Sequence, residues 1–323
     1  MNKNNWIFLA AAVLTLGSCS SDGEQPETGE APVELRLSSS LDLQTRAYTL
    51  MQAEQIESGE KVYAWVDEVG ASEYVHAWEL TADGAGNFTG DKKNYPMSGA
   101  KVDVYALHGN FTGITAGTTA FPSSLTHSVA ADQTTGYGKS DLLCAATKNC
   151  ARQISAHNLE FKHLLSKIEV YLVAGTGMTD AELESAQVTI LNTKPTTTVT
   201  LSKLATPIAS ISAASGTAAP ITAHMQTKTG ETVTISSTPQ NAHRLAEAVI
   251  VPQVVSSDGT TAGTSVDFIQ ITVGTSTFKA PISKEFTAGN KYTYNVVVNK
   301  SGLSLTSTIA AWGDGGTTTI PAK

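Results

Sequence analysis

The stretch Ile168-Glu169-Val170-Tyr171-Leu172-Val173 places apolar side chains at every second position, with Glu169 and Tyr171 between them. Successive side chains of a strand point to opposite faces, so this period predicts a β-strand with one face in a core. The same pattern predicts strands in five further segments: Lys61–Val66, Lys101–Leu107, Gln187–Leu191, Val266–Val273 and Tyr292–Val298. Period two in so many segments predicts an all-β protein.

The composition of the chain agrees with this fold class. The 323 residues include 26 glycines, and only 15% are charged. Turn clusters such as residues 83–87 and 256–259 separate the strand segments, and short strands punctuated in this way favour β-sandwiches. A chain of this length suggests about two domains. Only Thr179–Glu184 has the pattern of a helical turn, with Thr179 as its N-cap.

The charges of the chain exclude one class of partner. The formal net charge is −8, and the lysines and arginines form no cluster. Nucleic-acid binding needs several clustered cations to neutralise phosphates. The sequence therefore predicts no nucleic-acid partner.

The N-terminus has the order of a lipoprotein signal peptide. Lys3 precedes the apolar run Ile7–Leu16, and Leu16-Gly17-Ser18-Cys19 closes it. At about ten residues the run is too short for the roughly 20 that span a bilayer. We therefore expect residues 1–18 to be removed and Cys19 to be acylated; the alternative is an ordinary secretory signal with a chance cysteine. Residues 20–30 are acidic and lack large apolar side chains, which predicts a solvated tether.

A removable strand is predicted directly after the tether. In the segment Val33–Leu43, apolar side chains lie on one face at positions 33, 35, 37, 41 and 43. Arg46 and Ala47 follow at once and form a candidate cleavage site, although an arginine in a polar link is more often simply solvated. Loss of the strand would leave unpaired backbone groups beside an apolar groove, a template for a strand from another chain.

The C-terminus carries a matching pattern. Between Gly302 and Trp312, the side chains of Leu303, Leu305, Ser307, Ile309 and Ala311 share one face. This segment is the donor-strand candidate, with Leu303, Leu305 and Ile309 as its apolar anchors. The sequence leaves open whether the strand is donated outward or folded back.

Five motifs in chain order resemble the successive signatures of the fimbrillin family, the type V pilins and their accessory subunits. They are Asp141-Leu142-Leu143, Leu159–Val170, Ala248–Gln253, Ala288–Val296 and Ile309-Ala310-Ala311-Trp312. The resemblance implies an exported lipoprotein with two tandem transthyretin-like Greek-key β-sandwich domains. It also implies cleavage after Arg46 by an arginine-specific surface protease, and strand exchange with other fimbrial subunits.

These inferences divide the chain and give it a role. We expect a signal peptide at 1–18, the tether and removable strand at 19–46, an N-terminal sandwich at 47–158 and a C-terminal sandwich at 159–323. The expected role is a structural, non-enzymatic fimbrial subunit that serves adhesion, with an outer-membrane lipoprotein precursor on the cell surface. The alternative is a non-polymerising surface lipoprotein with Arg46 uncut, either an anchor or tip or an adhesin for a host glycan or protein.

Other candidate chemistry is sparse. His163 lacks a neighbouring nucleophile in sequence and is expected to be structural. The histidines and cysteines show no metal-ligand spacing, so neither a metal nor another cofactor is predicted. Cys144 and Cys150 form a local disulfide if a hairpin lies between them, and otherwise remain free thiols, with Cys144 on a strand and Cys150 in a loop. Four aromatic residues could line a sugar site but are expected in the core: Trp65, Trp78, Tyr105 and Tyr137.

Overall fold

The structure is a computed structural model, and it describes residues 31–41, 55–235, 238–260, 263–312 and 318–320. The signal peptide, the tether, Cys19, Arg46 and Ala47 lie outside these ranges.

Strands dominate the described residues. The strands of the first half are β1 Leu37–Leu41, β2 Lys61–Glu68, β3 Glu73–Ala82, β4 Phe88–Gly90, β5 Val102–His108, β6 Phe111–Thr112, β7 Ser124–Ser128, β8 Leu143–Cys150 and β9 His157–His163. Those that follow are β10 Ser166–Ala174, β11 Gln187–Thr193, β12 Thr196–Leu201, β13 Ala209–Ile211, β14 Ala219–Thr222, β15 His224–Ile235, β16 Thr238–Ile250, β17 Val254–Val255, β18 Val266–Val273, β19 Ser276–Ile282, β20 Lys284–Glu285, β21 Asn290–Asn299, β22 Gly302–Ala311 and β23 Thr318–Ile320. The helical elements are a 3-10 turn at Gly138–Ser140 and α1 at Asp180–Leu183.

The all-β prediction is confirmed, and so is the helical turn. Thr179 caps α1, since its side chain accepts a hydrogen bond from the Glu182 backbone while the Glu182 carboxylate bonds back to the Thr179 backbone. This reciprocal pair is a capping box, which satisfies two backbone donors that a short helix would otherwise leave open.

The first sheet contains seven strands in the order β1-β9-β8-β5-β2-β3-β4. Its strand β1 runs parallel to β9, with Leu37 opposite His157 and Leu41 opposite Phe161. On its other side, Ser38 of β1 forms a bridge to Asn87, and Glu34 just before β1 forms a bridge to Asn94, so that the two bridges flank β4. Because β4 is the opposite edge of the sheet, β1 closes the sheet on itself. A separate core belongs to this sheet alone and consists of residues between Val33 and Phe161.

Four further sheets complete the fold. They have the orders β15-β16-β10-β21-β22-β23, β14-β11-β18-β19, β13-β12-β7-β6 and β17-β20. The larger core is formed by residues of these sheets together with residues of the first sheet such as Trp65 and Tyr105, and it reaches to Trp312. Stacked sheets with cores between them are the arrangement expected of a β-sandwich protein.

The expected domain boundary at residues 158/159 stays a prediction, and three features cross it. Strand β9 continues to His163 within the first sheet. Strand β7 pairs with β12 from beyond the boundary, and the larger core draws side chains from both sides. By their contacts, residues 32–323 form one compact unit.

Strand β10 differs from its expected half-exposed form. Its residues from Ser166 to Val173 are all buried, including Lys167 and Glu169 on the face that the alternation assigned to solvent. The reason is position: β10 lies between β16 and β21 in the middle of its sheet, and Tyr137 and Trp312 cover its polar face.

Candidate functional site

The candidate site is the groove that holds β1, and it is built by two segments of backbone. On one side β9 supplies the parallel partner, and the His157 N–H donates to the Arg36 carbonyl at 2.8 Å. On the other side the chain between residues 86 and 95 supplies alternating donors and acceptors: the Leu35 N–H donates to the Lys93 carbonyl at 2.7 Å, and the Tyr95 N–H donates to the Val33 carbonyl at 2.9 Å. The segment from Val33 to Leu41, which contains β1, is therefore hydrogen-bonded along both of its edges.

The inward face of β1 fills the core of the first sheet. Leu35, Leu37 and Leu41 are 1%, 6% and 3% exposed. The predicted alternation is confirmed over the described residues, while Leu43 lies outside them. Burial of one leucine contributes about 1.5 to 3 kcal/mol, so these three side chains are the main hydrophobic contribution of β1 and the residues just before it.

Ser39 interrupts this apolar row. It is 5% exposed and lies between Leu37 and Leu41 on the buried face. Its Oγ has no hydrogen-bond partner among the described residues. Its backbone is closely approached by Gly86, which accepts the Ser39 N–H at 2.8 Å and has a φ of +90°. A Cβ on Gly86 would lie 3.0 Å from the Ser39 carbonyl oxygen, so a glycine is needed there.

The donor-strand candidate is folded back in this structure. Strand β22 pairs antiparallel with β21 over its whole length and with β23 near its end. Leu303, Leu305 and Ile309 are half-buried and pack against the larger core. Compared with the buried leucines of β1, they are held less completely by their own subunit.

Trp312 follows β22 directly and is buried, at 4% exposed. Its backbone N–H donates to the Gly289 carbonyl at 2.6 Å. Its indole stacks on the imidazole of His163, with ring centroids 3.6 Å apart. Its Nε1 has no hydrogen-bond partner among the described residues. The end of β22 is thus fixed at one deeply buried aromatic side chain.

His163 is structural, as the sequence predicted. Its Nδ1 lies 2.8 Å from Asp141 Oδ2, and both side chains are fully buried. Trp312 covers the ring, which leaves the pair no access to a substrate. Within the described ranges, no group of three or more His, Cys, Asp or Glu side chains is arranged to hold a metal ion.

A buried charge cluster lies beside this pair, and no pattern in the sequence predicts it. The Lys167 ammonium lies 2.8 Å from Glu247 Oε1 and 3.3 Å from Glu169 Oε1. All three side chains are buried. Burial by itself lowers the pKa of Lys167, but Glu247, Tyr137 and Glu169 outweigh it and hold that pKa well above its usual range. The alternation along β10 places Lys167 and Glu169 on the face that the sequence pattern predicts to be exposed to solvent.

The two cysteines are buried free thiols in the structure, which matches the free-thiol alternative and not the local disulfide. Both Cys144 and Cys150 lie on β8 with five residues between them, and six steps along a strand span up to about 20 Å. A disulfide needs Cα atoms within about 7 Å. Cys150 is also the last residue of a strand and not part of a loop. Burial raises the pKa of each thiol to about 11, which keeps both protonated at neutral pH.

The aromatic residues considered for a sugar site are core residues. All four are at most 5% exposed: Trp65, Trp78, Tyr105 and Tyr137. In the part of the chain that the structure describes, no helix combines the length and apolar character of a membrane span.

Comparison with known proteins agrees with this architecture. The fimbrillin-like family matches residues 45–312 of the chain. The protein belongs to the fimbrillin-like family. A curated relative from Bacteroides uniformis, "Putative fimbrium subunit Fim1C", is 26% identical over 335 residues and covers 98% of each chain.

Two crystal structures share the fold. One is of a "putative cell adhesion protein" from Bacteroides uniformis, with a TM-score of 0.57 and 22% identity over 86% of this chain and 99% of that one. The other is of a protein with the same description from Bacteroides ovatus, with a TM-score of 0.56 and 15% identity over 87% of this chain and 97% of that one. At these identities the likeness concerns the fold alone.

Proposed function

We propose that this fimbrillin-like protein is a structural subunit of a surface fimbria that serves adhesion. In this proposal the chain is exported as a lipoprotein acylated at Cys19 and anchored in the outer membrane. An arginine-specific surface protease cleaves after Arg46, and the processed subunit joins other fimbrial subunits by strand exchange.

The observation that carries the proposal is the two-sided pairing of β1. Removal of β1 together with the residues before it would leave at least four backbone groups without partners: the N–H groups of Tyr95 and His157 and the carbonyls of Gly86 and Lys93. It would also uncover the apolar core that Leu35, Leu37 and Leu41 fill. A strand from another subunit repairs both defects at once, because it brings main-chain hydrogen bonds together with apolar side chains.

Strand β22 is the donor that the chain itself offers. Its anchors Leu303, Leu305 and Ile309 are only half-buried in their own subunit, so transfer into a closed groove gains burial. Each fully buried Leu or Ile contributes about 1.5 to 3 kcal/mol, which offsets the loss of freedom of an ordered strand. Their replacement by Asp would place charges in an apolar groove at a cost that backbone pairing does not recover.

The test uses two arginines that flank the same strand. Arg46→Gln removes the candidate cleavage site, while the matched control Arg36→Gln changes an exposed arginine that pairs with Glu34 in the strand region. We expect the natural chain and Arg36→Gln to begin at Ala47 when isolated from cell-surface fimbriae and sequenced. Arg46→Gln should keep its lipid at Cys19 and stay out of the fimbriae.

Two results would count against the proposal. Fimbriae built from Arg46→Gln chains would show that assembly needs no cleavage at this site. A natural chain that is always recovered with a blocked N-terminus at Cys19 would instead favour a non-polymerising anchor, tip or adhesin. The folded-back β22 is the structural feature that fits this second role.

A further inference from the structure

The buried face of β1 and the inward face of β22 match position by position. Strand β1 and the residues just before it present Leu35, Leu37, Ser39 and Leu41 to the core. Strand β22 presents Leu303, Leu305, Ser307 and Ile309 at the same spacing. Both rows therefore contain two leucines, then a serine, then a branched aliphatic side chain.

The serine position discriminates between registers. Ser39 is buried without a hydrogen-bond partner for its Oγ among the described residues, so its small size is the property that the groove uses. Gly86 lies against the backbone of Ser39 and closes that side of the groove. A branched side chain at this position would overpack a closed core.

Only one register satisfies the whole row. A shift of one residue turns every apolar side chain of the incoming strand outward. A shift of two residues puts Leu305 or Ile309 at the Ser39 position and Ser307 where a leucine is buried. With no shift, Ser307 takes the place of Ser39 and the three aliphatic side chains take the places of Leu35, Leu37 and Leu41.

The direction of the strand follows from the ends of the row. In the direction of β1, Leu303 fills the place of Leu35, which is only 1% exposed. In the opposite direction with the serines aligned, Ala311 would stand there instead. A cavity would then remain at the most buried position of the row, and cavities destabilise a core.

We propose that the strand entering the groove is β22 of a second copy of this chain, in the direction of β1 and parallel to β9, with Ser307 at the Ser39 position. This inference rests on the strand exchange proposed above and specifies its partner, register and direction. It predicts that Thr306 lies opposite Asn158, as Ser38 does in the unprocessed chain. In the reverse direction, Thr308 would lie opposite Asn158.

Disulfide cross-linking separates these two directions. Asn158→Cys is combined with Thr306→Cys in one full-length protein and with Thr308→Cys in another, both with Cys144→Ala and Cys150→Ala. Asn158 is exposed, and paired strands bring opposite Cα atoms within the reach of a disulfide. Each protein is treated with an arginine-specific protease, polymer formation is recorded by electron microscopy, and the polymers are oxidised and separated on a denaturing gel.

We expect a ladder of covalent multimers from the Thr306→Cys protein and none from the Thr308→Cys protein. The opposite ladder would overturn the direction. Polymers that yield no ladder in either protein would overturn the register while leaving strand exchange in place. Absence of polymers from all processed proteins, including the natural chain, would overturn strand exchange and this inference with it.

A second measurement tests the serine itself. Ser307→Leu should lower the yield of polymer by at least about tenfold, because it overpacks the closed groove. The matched control Ser307→Ala keeps a small side chain and should polymerise like the natural chain. Equal yields from the Leu and Ala variants, with both folded by circular dichroism, would overturn the assignment of Ser307 to the Ser39 position.

Discussion

The ammonium of Lys167 lies in the interior of the molecule with no contact to solvent. Glu247 and Glu169 neutralise it, and Lys291 lies 3.5 Å from Glu169 on the neighbouring strand. The rings of Tyr137 and Trp312 lie 5.3 and 5.9 Å from its Nζ. A cluster of this kind ties β10, β16 and β21 to the end of β22 through charges that have no alternative partner in water.

This cluster predicts a large effect of Lys167→Met. The variant leaves Glu247 buried without its cation, and breaking a buried ion pair in this way costs about 3 to 5 kcal/mol of unfolding free energy. The double variant Lys167→Met with Glu247→Leu should recover part of the loss, since apolar residues pack well in such sites. Unfolding in urea, followed by circular dichroism, measures both changes.

The control for this prediction is an ion pair on the surface. Lys61 and Glu79 lie 3.0 Å apart with side chains 51% and 37% exposed. Exposed pairs contribute about 0 to 1 kcal/mol, so Lys61→Met should change the unfolding free energy by less than that. A Lys167→Met variant as stable as Lys61→Met would show that the buried cluster does not stabilise the fold.

Two elements of the fold, β1 and β22, carry similar rows of side chains but are held differently. Strand β1 is paired on both edges and buries its leucines almost completely. Strand β22 has half-buried anchors, and the buried side chain of Trp312 lies just beyond its last residue. The turn that joins β21 to β22 lies at the opposite end, near Gly302. Trp312 therefore fixes the end of β22 that is farthest from its hinge.

Replacement of Trp312 by Ala should loosen β22 more than the rest of the fold. The variant loses the stack on His163 and a large buried surface, and changes of this type cost about 3 to 5 kcal/mol. We expect amide exchange, followed by mass spectrometry, to accelerate most in residues 302–311. Trp312→Phe is the matched control, because it keeps an aromatic ring over His163.

The alternative outcome for Trp312→Ala is also visible in the same measurement. If exchange accelerates equally in β2, β5 and β22, Trp312 supports the whole core and does not act locally on β22. The comparison with Trp312→Phe then shows whether the stack or the volume of the side chain is responsible.

The sequence predicted those elements whose pattern is local. Strand β18 has the predicted bounds, β1 has the predicted inward face, and the cap of α1 is the predicted Thr179. The long hairpin of β15 and β16 was missed because the sequence of β15 is mostly polar and does not alternate. A local pattern indicates which face of a strand is apolar, but it does not indicate which strands pair.

Long-range pairing accounts for the remaining differences. Nothing near Val33 in sequence indicates that β1 lies between β9 and residues 87–94. Nothing near Lys167 indicates that Tyr137 and Trp312 cover its face of the sheet. Such contacts depend on which strands meet, and that information is distributed over the whole chain.

At the scale of the whole molecule, the two hydrophobic cores differ in whether they contain side chains from β1. The core of the first sheet contains Leu35, Leu37 and Leu41 and no residue beyond Phe161. The larger core contains no residue of β1 and extends to Trp312. Departure of β1 therefore opens one core directly and leaves the side chains of the other in place.

This division predicts that a processed chain stripped of β1 is folded but less stable, and that a strand in trans restores it. Loss of three buried leucines removes roughly 5 to 9 kcal/mol, a large share of the 5 to 15 kcal/mol typical of unfolding. A synthetic peptide of residues 302–312 that binds the vacated groove should raise the midpoint of thermal unfolding. At a peptide concentration about 100 times its Kd, mass action adds about 2.7 kcal/mol.

Two further peptides make this measurement specific. A peptide of residues 32–43 should restore the midpoint as well, because it is the original occupant of the groove. The 302–312 peptide with Leu305→Asp and Ile309→Asp should have no effect, since charged side chains do not enter an apolar groove without a partner. Rescue by residues 32–43 alone would show that the groove accepts strands in trans but that β22 is not the donor, and rescue by the Asp-substituted peptide would show that the anchors Leu305 and Ile309 do not direct the exchange.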